Sequence, residues 1–282
     1  MTIIALVDGS IYSHSVCELA AWAAVRAEAA VEVLHVLGRR DAAESGDLSG
    51  SIRLGARSAL LEELAELDAQ RAKLVAQRGR AILEDARTVL AGAGVGAISA
   101  RLRHGDLLEA FTGLDRTAEM VVIGKRGEAA DFAKGHLGSN LERIVRATRH
   151  PVMVAARAFR PINRILIAFD GGASSQRVVD HVANSPVYRG LGMTLVSVGA
   201  ANPVMTNALE DAQVLLHRHG FSVDIKVLPG HPEAVLGGLV DKEGYDLLVM
   251  GAYGHSRIRS LIIGSTTTEM IRSCKVPVVL IR

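Results

Sequence analysis

The sequence predicts an α/β protein in which parallel strands alternate with helices, and it predicts this unit twice. Short continuous runs of Val, Ile and Leu alternate along the 282 residues with amphipathic segments. Continuous apolar runs of this length are typical of strands that are buried on both faces of a parallel sheet. Strands and helices in alternation predict right-handed βαβ units, which build a doubly wound sheet. The length leaves room for about two such domains.

The duplication is visible as sequence blocks that return in the same order. The segment I-I-A-L-V-D-G-S (3–10) returns as R-I-L-I-A-F-D-G-G (164–172), with an offset of 162. M-V-V-I-G-K-R-G (120–127) returns as L-V-M-G-A-Y-G (248–254), and both copies end in a Pro-Val run. The offset falls to about 127 between these blocks, so the first copy carries about 35 extra residues. Self-similarity of this kind indicates two repeated structural units.

We therefore expect an N-terminal domain at 1–158 and a C-terminal domain at 162–282, joined by a short linker at Pro161. Each domain should contain five strands. The predicted strands are 2–7, 31–36, 97–103, 119–123 and 151–155 in the first copy, and 163–169, 193–198, 222–228, 246–250 and 277–281 in the second.

The extra segment of the first copy lies at about 38–78. Its front, residues 38–51, is polar and rich in Gly and Ser, which predicts a loop. Apolar residues then recur at helical steps as far as Val89, which predicts one long amphipathic helix or two helices broken at Gly79. Two interpretations are open. These turns are the second helix of the domain, or residues 54–78 form an arm that packs on a partner chain.

Composition excludes several classes of function. Thirty-two basic against thirty acidic residues leave a net charge of +2, which is too small for nucleic-acid binding through bulk charge. No apolar stretch approaches the roughly 18 residues of a membrane span, so we expect a cytoplasmic protein with no membrane partner. The two cysteines have no Cys/His spacing, and we expect neither a metal site nor a disulfide framework.

The candidate ligand site follows the fourth strand of each copy. Ligands of open parallel sheets bind at the carboxyl ends of strands, where the strand order reverses. In the second copy, Gly251 and Gly254 allow a close approach of the backbone, and G-S-T (264–266) begins a helix whose N–H groups suit phosphate. A structural alternative exists, because T-T-T-E (266–269) and S-N-L-E (139–142) have the pattern of a capping box.

Three features together resemble the universal stress protein family. They are the spacing G-x2-G-x9-G-[ST] after the fourth strand, an Asp at the end of the first strand, and the closing P-V-V-L-I-R run. The duplication is similar to the tandem members of that family, and the resemblance covers nearly the whole chain. It implies two doubly wound parallel five-stranded sheets with strand order 3-2-1-4-5, a Rossmann-like fold of the adenine nucleotide alpha hydrolase type. It also implies that ATP binds between strands one and four.

Carried over by motif position, the resemblance gives each copy a set of nucleotide-binding residues. In the second copy the aspartate would lie near the ribose, the valine would offer backbone bonds to adenine, and the glycine loop and helix start would surround the phosphates; His255 in the loop could reach a phosphate. These residues are Asp170, Val198, Gly251, Gly254, His255, Gly264, Ser265 and Thr266. The corresponding residues of the first copy are Asp8, Val36, Gly124, Gly127, Gly138 and Ser139.

We expect the second copy to bind ATP first, at about one molecule per chain. In the first copy, ten residues separate Gly127 from Gly138 instead of nine, and Glu128 and Asp131 in that loop disfavour phosphate. We expect Mg²⁺, where it accompanies the nucleotide, to be held by the phosphates and water with little help from the protein.

The leading hypothesis for function is an ATP-binding protein of the stress response, in which the nucleotide is a regulatory ligand. No set of nucleophile, base and orienting group can be assembled from the sequence, so we assign no catalytic residue. Two alternatives stay open. One is a slow ATP hydrolase or nucleotidyl-transfer enzyme that uses Asp170 or His255. The other is a module that binds an unknown protein partner without nucleotide.

The last strand of each copy predicts how the copies meet. Both strands, 151–155 and 277–281, are short, apolar and expected at a sheet edge, and exposed edge strands invite pairing with another strand. We expect them to pair antiparallel within one chain, as an intramolecular pseudo-dimer. A homodimer of whole chains must then use another surface, for which the arm at 54–78 is the candidate.

Overall fold

The computed structural model describes residues 1–38, 54–115, 118–127, 138–200, 202–252 and 264–282. The N-terminal half contains, in chain order, β1 (Thr2–Leu6), α1 (Ser13–Ala27), β2 (Ala30–Leu37), α2 (Leu54–Gly92), β3 (Ile98–His104), α3 (Leu107–Asp115), β4 (Met120–Gly124), α4 (Ser139–Ala147) and β5 (Val152–Ala155).

The C-terminal half repeats this alternation. It contains β6 (Arg164–Ala168), α5 (Ala173–Asn184), a 3-10 turn (Pro186–Tyr188), β7 (Gly192–Val198), α6 (Pro203–Arg218), β8 (Val223–Leu228), α7 (Pro232–Glu243), β9 (Leu247–Gly251), α8 (Ser265–Ser273) and β10 (Val278–Ile281). All ten predicted strands are present, and each end lies within one residue of the predicted position.

The strands form one sheet in the order β3-β2-β1-β4-β5-β10-β9-β6-β7-β8. Each half therefore has the predicted order 3-2-1-4-5, and all strand pairs within a half are parallel. The halves join where β5 pairs antiparallel with β10, with Val279 opposite Met153. The predicted pairing of the last strands is confirmed, and it fuses the two expected sheets into a single mixed sheet of ten strands.

Helices cover both faces of the sheet, and alternation along the strands divides the core in two. Ile3 and Ala5 of β1 point to the face covered by α1, α2, α5 and α6. Ile4 and Leu6 point to the other face, covered by α3, α4, α7 and α8. Both faces of each central strand are buried, which explains why these strands read as continuous apolar runs.

Of the two alternatives for this segment the structure has the single long helix, because α2 runs without a break through Gly79 over 39 residues. A Cβ at Gly79 would lie 2.8 Å from Cδ1 of Leu102 and 3.1 Å from Cδ2 of His35. This glycine therefore allows the helix to lie close against the sheet. The later turns bury Leu83 and Leu90 as the second helix of the domain, whereas the turns at 61–74 are largely exposed. No helix among the described residues is long and apolar enough to cross a membrane.

Candidate functional site

The carboxyl ends of β1 and β4 border a cavity of about 810 Å³ in the N-terminal half. Strand β1 pairs with β2 on one side and with β4 on the other, so the strand order reverses at this point. An open parallel sheet binds ligands at such a reversal. The cavity is lined by the start of α1, the end of β2, one face of α2 and the starts of α3 and α4.

A turn after β1 fixes the carboxylate of Asp8 at the cavity. Its Oδ1 accepts hydrogen bonds from the backbone N–H of Ser10 (3.0 Å) and from the hydroxyl of Ser13 (3.3 Å). The Ser13 hydroxyl oxygen in turn accepts the backbone N–H of Gly9 at 2.9 Å. These bonds hold the aspartate in one orientation before any ligand arrives.

Three glycines at this cavity lie closer to neighbouring side chains than a residue with a Cβ could. A Cβ at Gly127 would lie 2.9 Å from Oδ2 of Asp8, and one at Gly124 would lie 2.8 Å from Cβ of Tyr12. Gly9 has a φ of +79° and its Cβ would lie 2.6 Å from Cδ1 of Ile82. The segment after β4 therefore lies close against the turn that follows β1, an approach that glycine permits.

Helix α4 begins at the cavity with Gly138 as its N-cap residue and without a side-chain cap. The capping box predicted for residues 139–142 is wrong, because Ser139 is already the first helical residue and Glu142 bonds Arg146 instead. The same correction applies at 266–269, where Gly264 is the N-cap and Glu269 pairs with Arg272. The first N–H groups of a helix have no partner within the helix, so this end offers donors to an anion.

Among the described residues, three arginines and three acids border the cavity, so their charges balance. Arg126 follows β4, and Arg78 reaches the cavity from α2. Arg143 of α4 makes two hydrogen bonds of 2.7 and 2.8 Å to the carboxylate of Asp106. Hydrogen bonding to Arg143 lowers the pKa of Asp106 and raises that of Arg143, so both stay charged. Arg143 therefore offsets the negative charge of Asp106, which would otherwise repel an anionic ligand. The acid Glu109 also borders the cavity.

The C-terminal half has the same arrangement of strands, turn and helix start, but its charged residues differ. Asp170 accepts the backbone N–H of Gly172 at 2.9 Å, and a Cβ at Gly251 would lie 2.5 Å from Oγ of Ser174. The hydroxyl of Thr266 donates to Glu233 at 2.7 Å, and this hydrogen bond lowers the pKa of the Glu233 carboxyl.

An acid therefore lies beside the helix start that was expected to bind phosphate. Glu233 occupies the position of Asp106 in the repeat, whereas the position of Arg143 holds Glu269. The neighbouring Ser265 is the first residue of α8, and Val198 ends β7. Gly254 and His255 lie outside the described residues.

The structure brings the six predicted residues of the first copy around one cavity. They are Asp8, Val36, Gly124, Gly127, Gly138 and Ser139. Sequence reasoning missed the contributions of Arg78, Arg143 and Asp106. The ion pair could have been suspected only from the folded arrangement, because its partners are 37 residues apart in the chain.

The fold and the cavity define a tandem α/β chain whose two halves, each of strand order 3-2-1-4-5, share one ten-stranded sheet. A model of the universal stress protein family matches residues 1–156 and 200–282. The chain belongs to the universal stress protein family. It is 37% identical over 279 residues to the universal stress protein Slr1230 of Synechocystis, an alignment that covers 98% of this chain and 97% of that protein.

One solved structure shows the same fold over the whole chain. A universal stress protein of Archaeoglobus fulgidus aligns with 100% of this chain and 96% of its own at 18% identity, with a TM-score of 0.72. A further structure from Archaeoglobus fulgidus is a universal stress protein in complex with dAMP. It aligns with 43% of this chain and 98% of its own, at 19% identity and a TM-score of 0.35.

Proposed function

We propose that the cavity of the N-terminal half binds ATP and that the nucleotide acts as a regulatory ligand in a stress response. One observation carries this proposal: Asp8, the glycine segment after β4 and the uncapped start of α4 all border one cavity. Its volume of about 810 Å³ is in the range of sites for small ligands. The resemblance from sequence implies the same ligand at the same strand reversal.

The chemistry of the lining residues fits a nucleoside triphosphate. The Asp8 carboxylate is an acceptor for ribose hydroxyls, and the backbone of Val36 at the end of β2 is available to an adenine edge. Gly127, Gly138 and Ser139 present backbone to the phosphates, and Arg126 and Arg78 supply positive charge. Mg²⁺, if present, would be held by the phosphates and water, as hard cations at nucleotide sites commonly are.

Geometry favours the N-terminal half, whereas sequence spacing favours the C-terminal half. The ion pair of Asp106 with Arg143 keeps an acid neutralised in the first. In the second, Glu233 takes the hydroxyl of Thr266, which was expected to bind phosphate. We therefore propose the N-terminal cavity as the principal site. Earlier occupation of the C-terminal set is a prediction that the same titration tests.

Matched substitutions of the two aspartates assign the half. Asp8→Asn and Asp170→Asn each keep an oxygen that accepts the local backbone N–H and remove the charge. Hydrogen bonds to charged groups contribute about 1.5–3 kcal/mol. We expect Asp8→Asn to raise the Kd for ATP about ten-fold by calorimetry, and Asp170→Asn to leave it unchanged. The reverse result would place the nucleotide in the C-terminal half.

A steric pair tests the geometry of the cavity. Gly127→Ala places a methyl group 2.9 Å from Oδ2 of Asp8, whereas a Cβ at Gly96 meets no atom within 4 Å. We expect the first change to weaken binding at least as much as Asp8→Asn does, and the second to have no effect. If Gly127→Ala and Gly96→Ala had equal effects on the Kd for ATP, Asp8 and Gly127 would not belong to the site. If neither a co-purifying nucleotide nor ATP binding is detected, the interaction module that binds only protein becomes the better reading.

The rival function is ATP hydrolysis. A turnover above ~1 s⁻¹, at the low end of typical enzymes, would favour it over a regulatory ligand. Gly127→Ala must then lower the turnover if the N-terminal cavity is responsible. Activity that survives both Gly127→Ala and the double change of Gly251 and Gly254 to Ala would belong to a contaminant.

A further inference from the structure

The first turns of α2 carry leucines that the rest of the described chain does not cover. They lie at 61–74, within the arm of residues 54–78. Leu61, Leu67 and Leu74 are 54%, 54% and 66% exposed. Leu60, Leu67 and Leu74 follow one another at intervals of seven residues. A spacing of seven keeps side chains on one stripe of a helix, which is the pattern of paired helices.

This stripe is unusual for a helix of a globular protein. A stripe of apolar residues on a helix normally packs against a core or a second helix and is not left exposed. Beyond the arm, the same helix does face the core, with Leu83 at 7% and Leu90 at 0% exposure. The arm therefore has the leucines of a packing surface without the sheet beneath it.

Within α2, the charges of residues 61–80 separate into two blocks of opposite sign. Residues 61–70 contain four acids and no base: Glu62, Glu63, Glu66 and Asp68. Residues 71–80 contain four bases and no acid: Arg71, Lys73, Arg78 and Arg80. The two blocks have equal length and meet between Gln70 and Arg71.

This arrangement is complementary to itself only when it is reversed. We propose that two copies of the chain associate through antiparallel arms, about a two-fold axis close to Gln70 and Arg71. The acidic block of each copy then faces the basic block of the other, and Leu67 packs against Leu74 of the second copy. Parallel pairing would place acid against acid and base against base, which is unfavourable. The antiparallel contact uses the same patch on both chains and closes as a dimer.

The first test measures the mass of the full chain in solution. The monomer has a mass of 29.9 kDa, and sedimentation equilibrium should show a dimer of twice that mass. Leu67→Lys places a cation on the leucine stripe, and we expect it to raise the dimer Kd at least ~ten-fold, which corresponds to about 1.4 kcal/mol. Val204→Lys is the matched control, because Val204 is 80% exposed on α6. A wild-type chain that is monomeric at 100 μM, a concentration on the order of the weak-complex range, would overturn the proposal.

Charge reversal tests the electrostatic part. Changing the two acids nearest the axis, with Glu66→Lys and Asp68→Lys, should remove the net charge of the acidic block and place Lys at 68 against Lys73 of the second copy, which weakens the dimer. Changing Arg71 and Lys73 to Glu in the same chain should restore the dimer, because the charges nearest the axis are then exchanged and positions 68 and 73 again carry opposite charges. If the four-fold variant stays monomeric while circular dichroism shows unchanged helix content, the complementarity is not what joins the copies.

Single cysteines test the direction of pairing. The native Cys17 and Cys274 are buried, so an introduced thiol is the accessible one. Antiparallel arms bring Gln70→Cys next to its own copy and should give an interchain disulfide under mild oxidation. Leu64→Cys would face the region of Gln77 and should give none. Cross-linking of both variants would show parallel arms, and cross-linking of neither would show that something other than a second copy covers the stripe.

Discussion

Gly9 links the turn that holds Asp8 to the helix α2, and a single methyl group should reveal how tight this contact is. Gly9→Ala introduces two penalties, because the residue has a φ of +79° and its Cβ would lie 2.6 Å from Cδ1 of Ile82. Gly94, which follows α2, separates the two effects. Its φ is +87°, yet a Cβ there would meet no atom within 4 Å.

The magnitudes follow from these two environments. A left-handed conformation costs an ordinary residue about 1–2 kcal/mol, and this cost applies to both glycines. Overpacking by a methyl group adds about 1–3 kcal/mol, and this cost applies only at Gly9. We therefore expect Gly94→Ala to lower the free energy of unfolding by about 1–2 kcal/mol and Gly9→Ala to lower it by about 2–5 kcal/mol. The change in the unfolded chain is common to both variants and cancels in the difference.

Urea unfolding at equilibrium measures the difference, and a double-mutant cycle with Ile82→Ala isolates the contact. Ile82→Ala removes the side-chain atoms that the new methyl group would otherwise overlap. The double variant should therefore be about 1–3 kcal/mol more stable than the sum of the two single changes predicts. Gly9→Ala and Gly94→Ala with equal losses, together with an additive cycle, would refute the close contact between α2 and the turn. Nucleotide binding to Gly9→Ala should also weaken, since Asp8 is the neighbouring residue.

Three further outcomes follow from other parts of the fold. Val279 is fully buried opposite Met153 where the two halves meet, so Val279→Lys should separate the halves, and an unchanged radius of gyration by X-ray scattering would contradict the seam. Burial lowers the pKa of His181 from 6.5 to about 4. The unfolded chain therefore binds a proton first as the pH falls, and stability should drop by about 3 kcal/mol between pH 6.5 and 4; His181→Gln should abolish most of that slope. Gly237 lies in α7 with open space around its Cβ position, so Gly237→Ala should raise stability by about 1 kcal/mol, and a lower melting temperature would be evidence against the helix there.

The sheet could be predicted closely from the sequence because its strands are covered on both faces. A strand such as β4, with Val121 and Val122 both fully buried, has no solvent-facing side to interrupt its apolar run. Because the sequence is duplicated, each strand of one half could also be predicted from the corresponding strand of the other half. Pairing of β5 with β10 was predictable for a related reason, since two apolar edge strands in one chain have few other partners.

Local helix signals were less reliable because tertiary contacts decide them. Gly79 has the sequence signature of a break, yet packing against Leu102 explains it fully. S-N-L-E at 139–142 has the spacing of a capping box, but the turn places Gly138 in the cap position and moves each residue one place into the helix. Arg78 gave no signal, since a basic residue on a long amphipathic helix is ordinarily solvated.

The antiparallel seam between β5 and β10 has a consequence for how the two halves can differ. Only the short stretch from Ala156 to Asn163 separates β5 from β6 and so joins the two halves. The edge strands β5 and β10 therefore meet at a very high effective concentration, and their pairing does not depend on the amount of protein in the cell. Because the pairing of β5 with β10 lies within one chain, it can persist even where the two strands bind each other weakly or differ in sequence. Two identical chains would have to carry every substitution twice, once on each side of their axis. Here Arg143 in one half and Glu269 at the corresponding position of the other can coexist, which leaves each half free to acquire a charge pattern, and a ligand, of its own.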